Sequence, residues 1–311
     1  MGRIAIIDMG TNTFHLLVAD EREGGGYRIV HRNRLSVKIG MGGINRGLIT
    51  RDAVQRALLA LQSFRNTMDG MKVERVYAYG TSALRNAGNR QEVVNAIARL
   101  TGIEVNLISG DQEAEFIYQG VRSALHLSTD KSLIIDIGGG SVEFILADNE
   151  RIFWKESIEI GAQRLLEKFQ RHDPILSGEV AALDAFFCEK LASLKTAMRK
   201  HCPTVLVGSS GTFDTLSDIF CEAHRIHKAP EEVETPLTLE GFYDIYHDLL
   251  AKNREQRMLI PGMIEMRVDM IVVACCLIRY ILESHPFERI RVSTYSLKEG
   301  VLASMDKTVA V

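Results

Sequence analysis

The feature that most constrains this chain is an internal repeat. DMGTNTFHLLVAD at 8–20 can be laid over DIGGGSVEFILAD at 136–148, 128 residues further on. Both segments open Asp-x-Gly, place a hydroxyl residue sixth (Thr13 and Ser141), and close an apolar run with Ala-Asp. Two copies of one strand–turn–strand unit in 311 residues predict two lobes of like fold. The composition, 46% hydrophobic and 25% charged, lies in the ordinary globular range.

Hydrophobic patterning fills in the lobes. Strands are expected over 3–8, 14–20 and 27–37, with Gly24, Gly25 and Gly26 at a turn. A glycine-rich loop over 40–47 reads as a mobile surface segment. Thr50 is placed to cap a helix reaching about 68. A strand over 73–79, short helices at 82–85 and 90–100, a strand over 104–107 and a helix over 111–126 complete the first copy. The second restarts with strands over 133–136, 141–147 and 151–157. Helices at 162–170 and 178–200, a strand over 204–207 and a helix from about 212 follow. The remainder reads as helical over 239–282 with a break at Pro261-Gly262, then a strand over 289–293 and a last helix from about 296. The expected fold class is α/β, with lobes at 1–122 plus about 297–311 and at 123–296.

Several functions are excluded. Thirty-seven basic against forty acidic residues give a net charge of −3, so no global basic field recruits nucleic acid. Five cysteines, with no CxxC pair, argue against a secreted disulfide framework and for a reducing cytoplasm. Asp8 interrupts the N-terminal apolar run, so no signal peptide is expected. The longest uncharged apolar run, 270–278, is too short for a bilayer that needs about 20 residues. The expectation is a cytoplasmic protein without membrane or nucleic-acid partners.

The repeated motif carries chemistry. A buried strand delivers Asp8 to its C-terminal end, where open α/β sheets bind ligands. In the turn after it, Gly10, Thr11, Asn12 and Thr13 offer backbone N–H groups and side-chain donors to an anion. Asp136, Gly138, Gly139, Gly140 and Ser141 repeat the device, and glycines without Cβ atoms let backbone approach a phosphate closely. An aspartate cannot bind phosphate itself; Asp8 and Asp136 make sense as holders of a Mg²⁺ that bridges to phosphate oxygen. Ser210, Gly211 and Thr212 lie between a strand and a helix, a further phosphate contact. Cys221-x-x-His224-x-x-His227 has metal-like spacing but lacks a fourth ligand. The apolar stripe over 263–282 reads as core or a dimer face. Arg267 and Asp269, neighbours in an otherwise apolar helix, are expected to pair.

These motifs, with Thr81-Ser82-Ala83-Leu84-Arg85, Ser109-Gly110-x-x-Glu113-Ala114, Arg267-x-Asp269 and Ser296-Leu297-Lys298-Glu299-Gly300, resemble the exopolyphosphatase / guanosine pentaphosphate phosphatase family across nearly the whole chain. The resemblance implies the superfold of sugar kinases, actin and heat-shock chaperones: two ribonuclease-H-like lobes with an interlobe cleft. It implies hydrolysis of terminal phosphoanhydride bonds in inorganic polyphosphate or guanosine pentaphosphate, with Mg²⁺ or Mn²⁺, by a homodimer. On residues alone Glu113 and Glu115 read as acids favoured at a helix N-terminus; the resemblance makes Glu113 the base that activates water. It makes Arg85 a phosphate ligand, a role the guanidinium fork suits. Glu143 becomes a second acid near metal or water. The first copy has His15 at that position, so the two lobes are not equivalent.

The expected reaction is metal-assisted attack of water on a terminal phosphorus, with charge stabilisation as its main demand. The alternatives are guanosine pentaphosphate 5′-phosphohydrolysis, phosphotransfer from ATP to a small acceptor, and a non-catalytic sensor of nucleotide or polyphosphate. Phosphate release without an acceptor separates the hydrolases from the kinase.

Overall fold

The computed structural model describes residues 2–209, 211–229 and 231–306. Its contacts divide the chain into two units. The first takes the chain up to Gly120, the turn Gly138–Gly140, and everything from Leu297 onward; the second takes Val121–Ile137 and Ser141–Ser296.

In the first unit, β1 (Arg3–Met9), β2 (Thr13–Glu21) and β3 (Tyr27–Ser36) form an antiparallel meander. Helix α1 (Arg51–Gly70) follows, begun by Thr50, whose hydroxyl accepts from the Ala53 N–H at 3.3 Å. Then come β4 (Arg75–Gly80), α2 (Ser82–Asn86), α3 (Arg90–Thr101), β5 (Val105–Leu107) and α4 (Gly110–Ala124), whose last residues cross into the second unit. The sheet order is β3-β2-β1-β4-β5, with β4 parallel to both its neighbours. Central β1 is buried on both faces and reads as a continuous apolar run. Edge strand β3 alternates and carries Arg28, Arg32 and Arg34, charges that discourage edge-to-edge pairing. Ile7, Phe14, Leu16, Phe64 and Leu84 anchor the core.

The second unit repeats the plan. β6 (Ser132–Ile137), β7 (Val142–Ala147) and β8 (Ile152–Ile158) form the meander, followed by α5 (Ala162–Phe169), α6 (Ser177–Lys190), α7 (Ala192–His201), β9 (Val205–Ser209) and α8 (Gly211–His224). β10 (Glu234–Thr235), α9 (Leu239–Ala251), α10 (Arg254–Met258), α11 (Ile271–Ser284) and β11 (Arg289–Ser293) complete it. The order β8-β7-β6-β9-β11 matches the first sheet strand for strand, with β10 added at the far edge. Even the irregularity is duplicated. The β2–β3 register shifts between Val18 and Ala19, and the β7–β8 register between Leu146 and Ala147, again 128 residues apart. Helix α12 (Leu297–Ser304) ends the described chain in the first unit. This is the α/β fold with two like sheets that the repeat predicts.

Four local readings change. The helical stretch expected over 239–282 with a single break is three helices, α9, α10 and α11, and 259–270 between the last two is turn and loop. The helix expected over 178–200 is two, α6 and α7, broken at Leu191. Arg267 and Asp269 sit in a turn before α11, and Asp269 pairs with Arg254 at 2.9 Å instead. The 40–47 loop is fastened rather than free. Asn12 O accepts from the N–H groups of Val37 and Lys38 at 2.9 and 2.8 Å, and Thr11 O accepts from Gly40 N–H at 3.1 Å. Helix α11 is core: Ile271 through Arg279 are all buried. Among the described residues no helix is long and apolar enough to cross a membrane.

Candidate active site

In the first unit, Ser109 and Gln112 form a reciprocal cap. Ser109 Oγ accepts from Gln112 N–H at 3.1 Å, and Gln112 Oε1 accepts from Ser109 N–H at 3.0 Å. The cap fixes where α4 begins and so sets Glu113 at the end of its first turn. Glu113 is only 7% exposed. From α2, Arg85 Nη1 donates to Glu113 Oε2 at 2.8 Å and to Ile108 O at 3.2 Å. The base and the phosphate ligand expected from sequence are thus in direct contact, across 28 residues of chain.

Thr11, Asn12 and Thr13 are buried after β1, and Gly10 is half-buried. The turn Gly138–Gly140 belongs to the same unit. A Cβ on Gly139 would lie 2.5 Å from Asn12 Nδ2, and one on Gly140 would lie 2.6 Å from Thr11 Oγ1 and collide with Ser82 Oγ. Any larger residue would wedge the turn away from Thr11, Asn12 and α2. Asp8 stands at the end of β1, opposite His15 on β2. Burial pushes its carboxyl up to about 6; nearby Lys298 opposes the shift and Glu299 adds to it. Glu299 itself is buried, 3.2 Å from Lys298 Nζ and 3.7 Å from Arg32 Nε.

The second unit builds a polar row across its sheet. Ser209 on β9, Asp136 on β6, Glu143 on β7 and Ser157 on β8 are successive register partners. Ser209 Oγ donates to Asp136 Oδ2 at 3.1 Å. Ser141 Oγ and Ser157 Oγ each donate to Glu143 Oε1 at 2.7 Å. Ser141, expected as a phosphate donor, is therefore turned to Glu143. Asp136 and Glu143 are 8% and 1% exposed. Ser209 belongs to the strand-to-helix motif Gly208–Thr212 that sequence reads as a phosphate contact, but its hydroxyl serves Asp136; Ser157 carries no motif, and counting register outward from Asp136 finds it.

Gly211 opens α8 and Thr212 is buried in its first turn. A Cβ on Gly211 would collide with the Arg267 guanidinium, so that N-terminus is packed against a cation. Ser210 lies outside the described residues. Cys221 is buried, while His224 ends α8 with Nδ1 2.9 Å from Phe220 O. Among the described residues no group of three or more His, Cys, Asp or Glu side chains is arranged to hold a metal ion. A hard cation shared with phosphate needs only one or two protein carboxylates. The register pair Asp136 and Glu143 fits that demand: two buried oxygen ligands, oriented by hydroxyl donors.

Residues 17–309 match the model of the Ppx/GppA phosphatase family. The chain belongs to that family. An exopolyphosphatase from Cytophaga hutchinsonii is similar in structure, with 44% identity, 97% of each chain covered and a TM-score of 0.94. The Aquifex aeolicus member of the Ppx/GppA family is similar at 25% identity and a TM-score of 0.78, over 98% of this chain and 97% of that one. Among curated relatives, Exopolyphosphatase 2 of Mycobacterium tuberculosis is 28% identical over 97% of this chain and 98% of its own. A guanosine-5′-triphosphate,3′-diphosphate pyrophosphatase of Pseudoalteromonas translucida is 26% identical over 97% of this chain but only 59% of its own length.

Proposed function

We propose that this Ppx/GppA family member is an exopolyphosphatase, releasing terminal orthophosphate from inorganic polyphosphate by attack of water. The observation that carries the reading is the ion pair between Arg85 and the buried Glu113. In the resting protein Arg85 neutralises Glu113. An arriving phosphate, with more charge and three oxygens for the guanidinium fork, competes for Arg85. That leaves Glu113 to orient a water and accept its proton as oxygen bonds to the terminal phosphorus. The bond from phosphorus to the bridging oxygen breaks, and the shortened chain leaves. General-base assistance is worth about 10²–10⁴-fold. Backbone N–H groups of the Gly139–Gly140 turn and the hydroxyl of Thr11 suit the phosphate oxygens. Gly10, Asn12, Thr13 and Gly138 frame that cradle.

Mg²⁺ is the cofactor we assign, with Asp136 and Glu143 to hold it. When bound it would offset charge on phosphate oxygens and on the leaving group. Two buried carboxylates side by side repel when both are ionised, which is the demand a divalent cation meets. We place the enzyme in the cytoplasm as a homodimer. Its five free cysteines suit a reducing compartment, and sedimentation measures the oligomer.

The relatives named as exopolyphosphatases that this chain spans nearly end to end favour polyphosphate over guanosine pentaphosphate. The deciding experiment compares turnover of polyphosphate, guanosine pentaphosphate and ATP, with and without Mg²⁺ and without an acceptor, in the native enzyme and in Glu113→Gln. Fast phosphate release from polyphosphate that falls about 10²–10⁴-fold in the variant supports the assignment. Full turnover in Glu113→Gln overturns it.

A further inference from the structure

The second unit carries a concavity away from Asp136. It holds about 550 Å³ between edge strand β8 and helix α7, lined by Phe153, Trp154, Ser193, Thr196, Lys200 and His201. That volume suits a small organic ligand. Lys131 immediately precedes β6, whereas Asp136 is the fifth residue beyond it, about 16 Å along the strand. The concavity is thus at the opposite end of the sheet from the acidic row.

Its chemistry is specific. The Phe153 ring is approached by Lys131 Nζ at 5.1 Å and by the Arg151 guanidinium at 4.8 Å, and the His201 ring lies tilted against it with centroids 5.5 Å apart. Burial, then Lys200 and Lys131, hold the His201 imidazole below its ordinary pKa. Arg199, Lys200 and His201 occupy the last turn of α7, where the helix dipole favours cations. Ser193 Oγ donates to Glu156 Oε2. The floor is flat and partly apolar, with half-buried Trp154 beside the small side chains of Ala192 and Thr196. The groove thus sets aromatic surface beside cations, Lys200 in its lining and Lys131 and Arg151 over the Phe153 ring. A ligand with a planar base and a phosphate group uses both.

We propose that this groove binds a free nucleotide, its base against Trp154 and its phosphates on Lys200 and on Lys131 and Arg151, the cations that lie over the Phe153 ring in the groove wall. This does not depend on the catalytic assignment, because none of these residues belongs to the proposed machinery.

Trp154 is the one tryptophan in the chain, so its fluorescence reports the groove directly. The full-length protein is titrated with ADP, adenosine and inorganic pyrophosphate in turn. The expected result is saturable quenching by ADP, with adenosine and pyrophosphate each at least about tenfold weaker. Lys131→Ala/Lys200→Ala should weaken ADP about tenfold or more and steepen no salt dependence, while polyphosphate hydrolysis stays as in the native enzyme. Glu113→Gln should leave the ADP titration unchanged, which separates this site from the catalytic one. Absence of saturable quenching at millimolar ADP overturns the proposal. So does quenching that survives the double lysine variant, or pyrophosphate acting as well as ADP.

Discussion

The two sheets carry comparable rows of side chains with opposite chemistry. At the level of Asp8 the first sheet reads Arg34, His15, Asp8, Tyr79, Asn106 from β3 to β5. At the level of Asp136 the second reads Ser157, Glu143, Asp136, Ser209, Ser293 from β8 to β11. The repeat keeps strand order, register and even the bulge, so backbone does not distinguish the rows. Side chains do. A carboxylate opposite a histidine has a partner that can carry positive charge. A carboxylate opposite another carboxylate faces like charge when both are ionised. The two sheets therefore share a scaffold and differ in this row of side chains, and the acid pair of the second sheet is where the proposed metal is to be tested.

The comparison breaks first at Glu143 and Asp136. Glu143→Gln or Asp136→Asn should lower Mg²⁺-dependent phosphate release by about 10²-fold or more, as loss of a group that stabilises transition-state charge does. Retained turnover in either variant, measured at saturating Mg²⁺, would place the metal elsewhere. Next in size is a packing effect in the first unit. Gly300 of α12 lies against the backbone of Phe116 and Gly120 on α4, and a Cβ there would collide with Phe116 O. Gly300→Ala should cost about 3 kcal/mol, seen as a lowered midpoint in denaturant. It should also reduce kcat more than it raises KM, because α4 carries Glu113.

A third test concerns Asp8 itself. Its folded pKa of about 6 exceeds the ordinary 3.8, so the folded state holds this proton more tightly than the unfolded chain. Stability is lost as pH rises from about 3.8 through about 6 and stays lost above. Asp8→Asn should stabilise the fold by up to about 3 kcal/mol at pH 8 and by almost nothing at pH 3.5. Thermal melts at the two pH values check this, and an equal shift at both would contradict a carboxyl destabilised by burial. The smallest effect belongs to His15: if the first row has no catalytic part, His15→Gln should change phosphate release by less than about threefold, within the 0.7 kcal/mol such a factor represents.

Much of this was legible in the sequence. The repeat alone foretells both meanders, the strand-end acids and the inequality of His15 and Glu143. Thr50 foretells its helix, and the apolar stripe its burial in α11. What resisted reading was side-chain direction. Ser141 has the composition of a phosphate donor, but its hydroxyl serves Glu143, two residues away on the same strand side. Arg267 and Asp269 look like partners because they are close in sequence, yet Asp269 pairs with Arg254 from another element. The 40–47 loop looks free because glycine reads as freedom, although Gly40 N–H is bonded to Thr11 O and the residues leading into it, Val37 and Lys38, are bonded to Asn12 O.

By itself the sequence determined the parts whose physics is local: alternation along strands, caps, turns, and a register that the duplicated spacing repeats. Only the tertiary structure decided which distant groups meet. Arg85 with Glu113 spans 28 residues, Ser209 with Asp136 spans 73, and Gly300 presses on Phe116 from the end of the chain. Such meetings follow from how helices and sheets pack. That packing depends on volumes and surfaces gathered from the whole fold, and no short stretch of residues contains it.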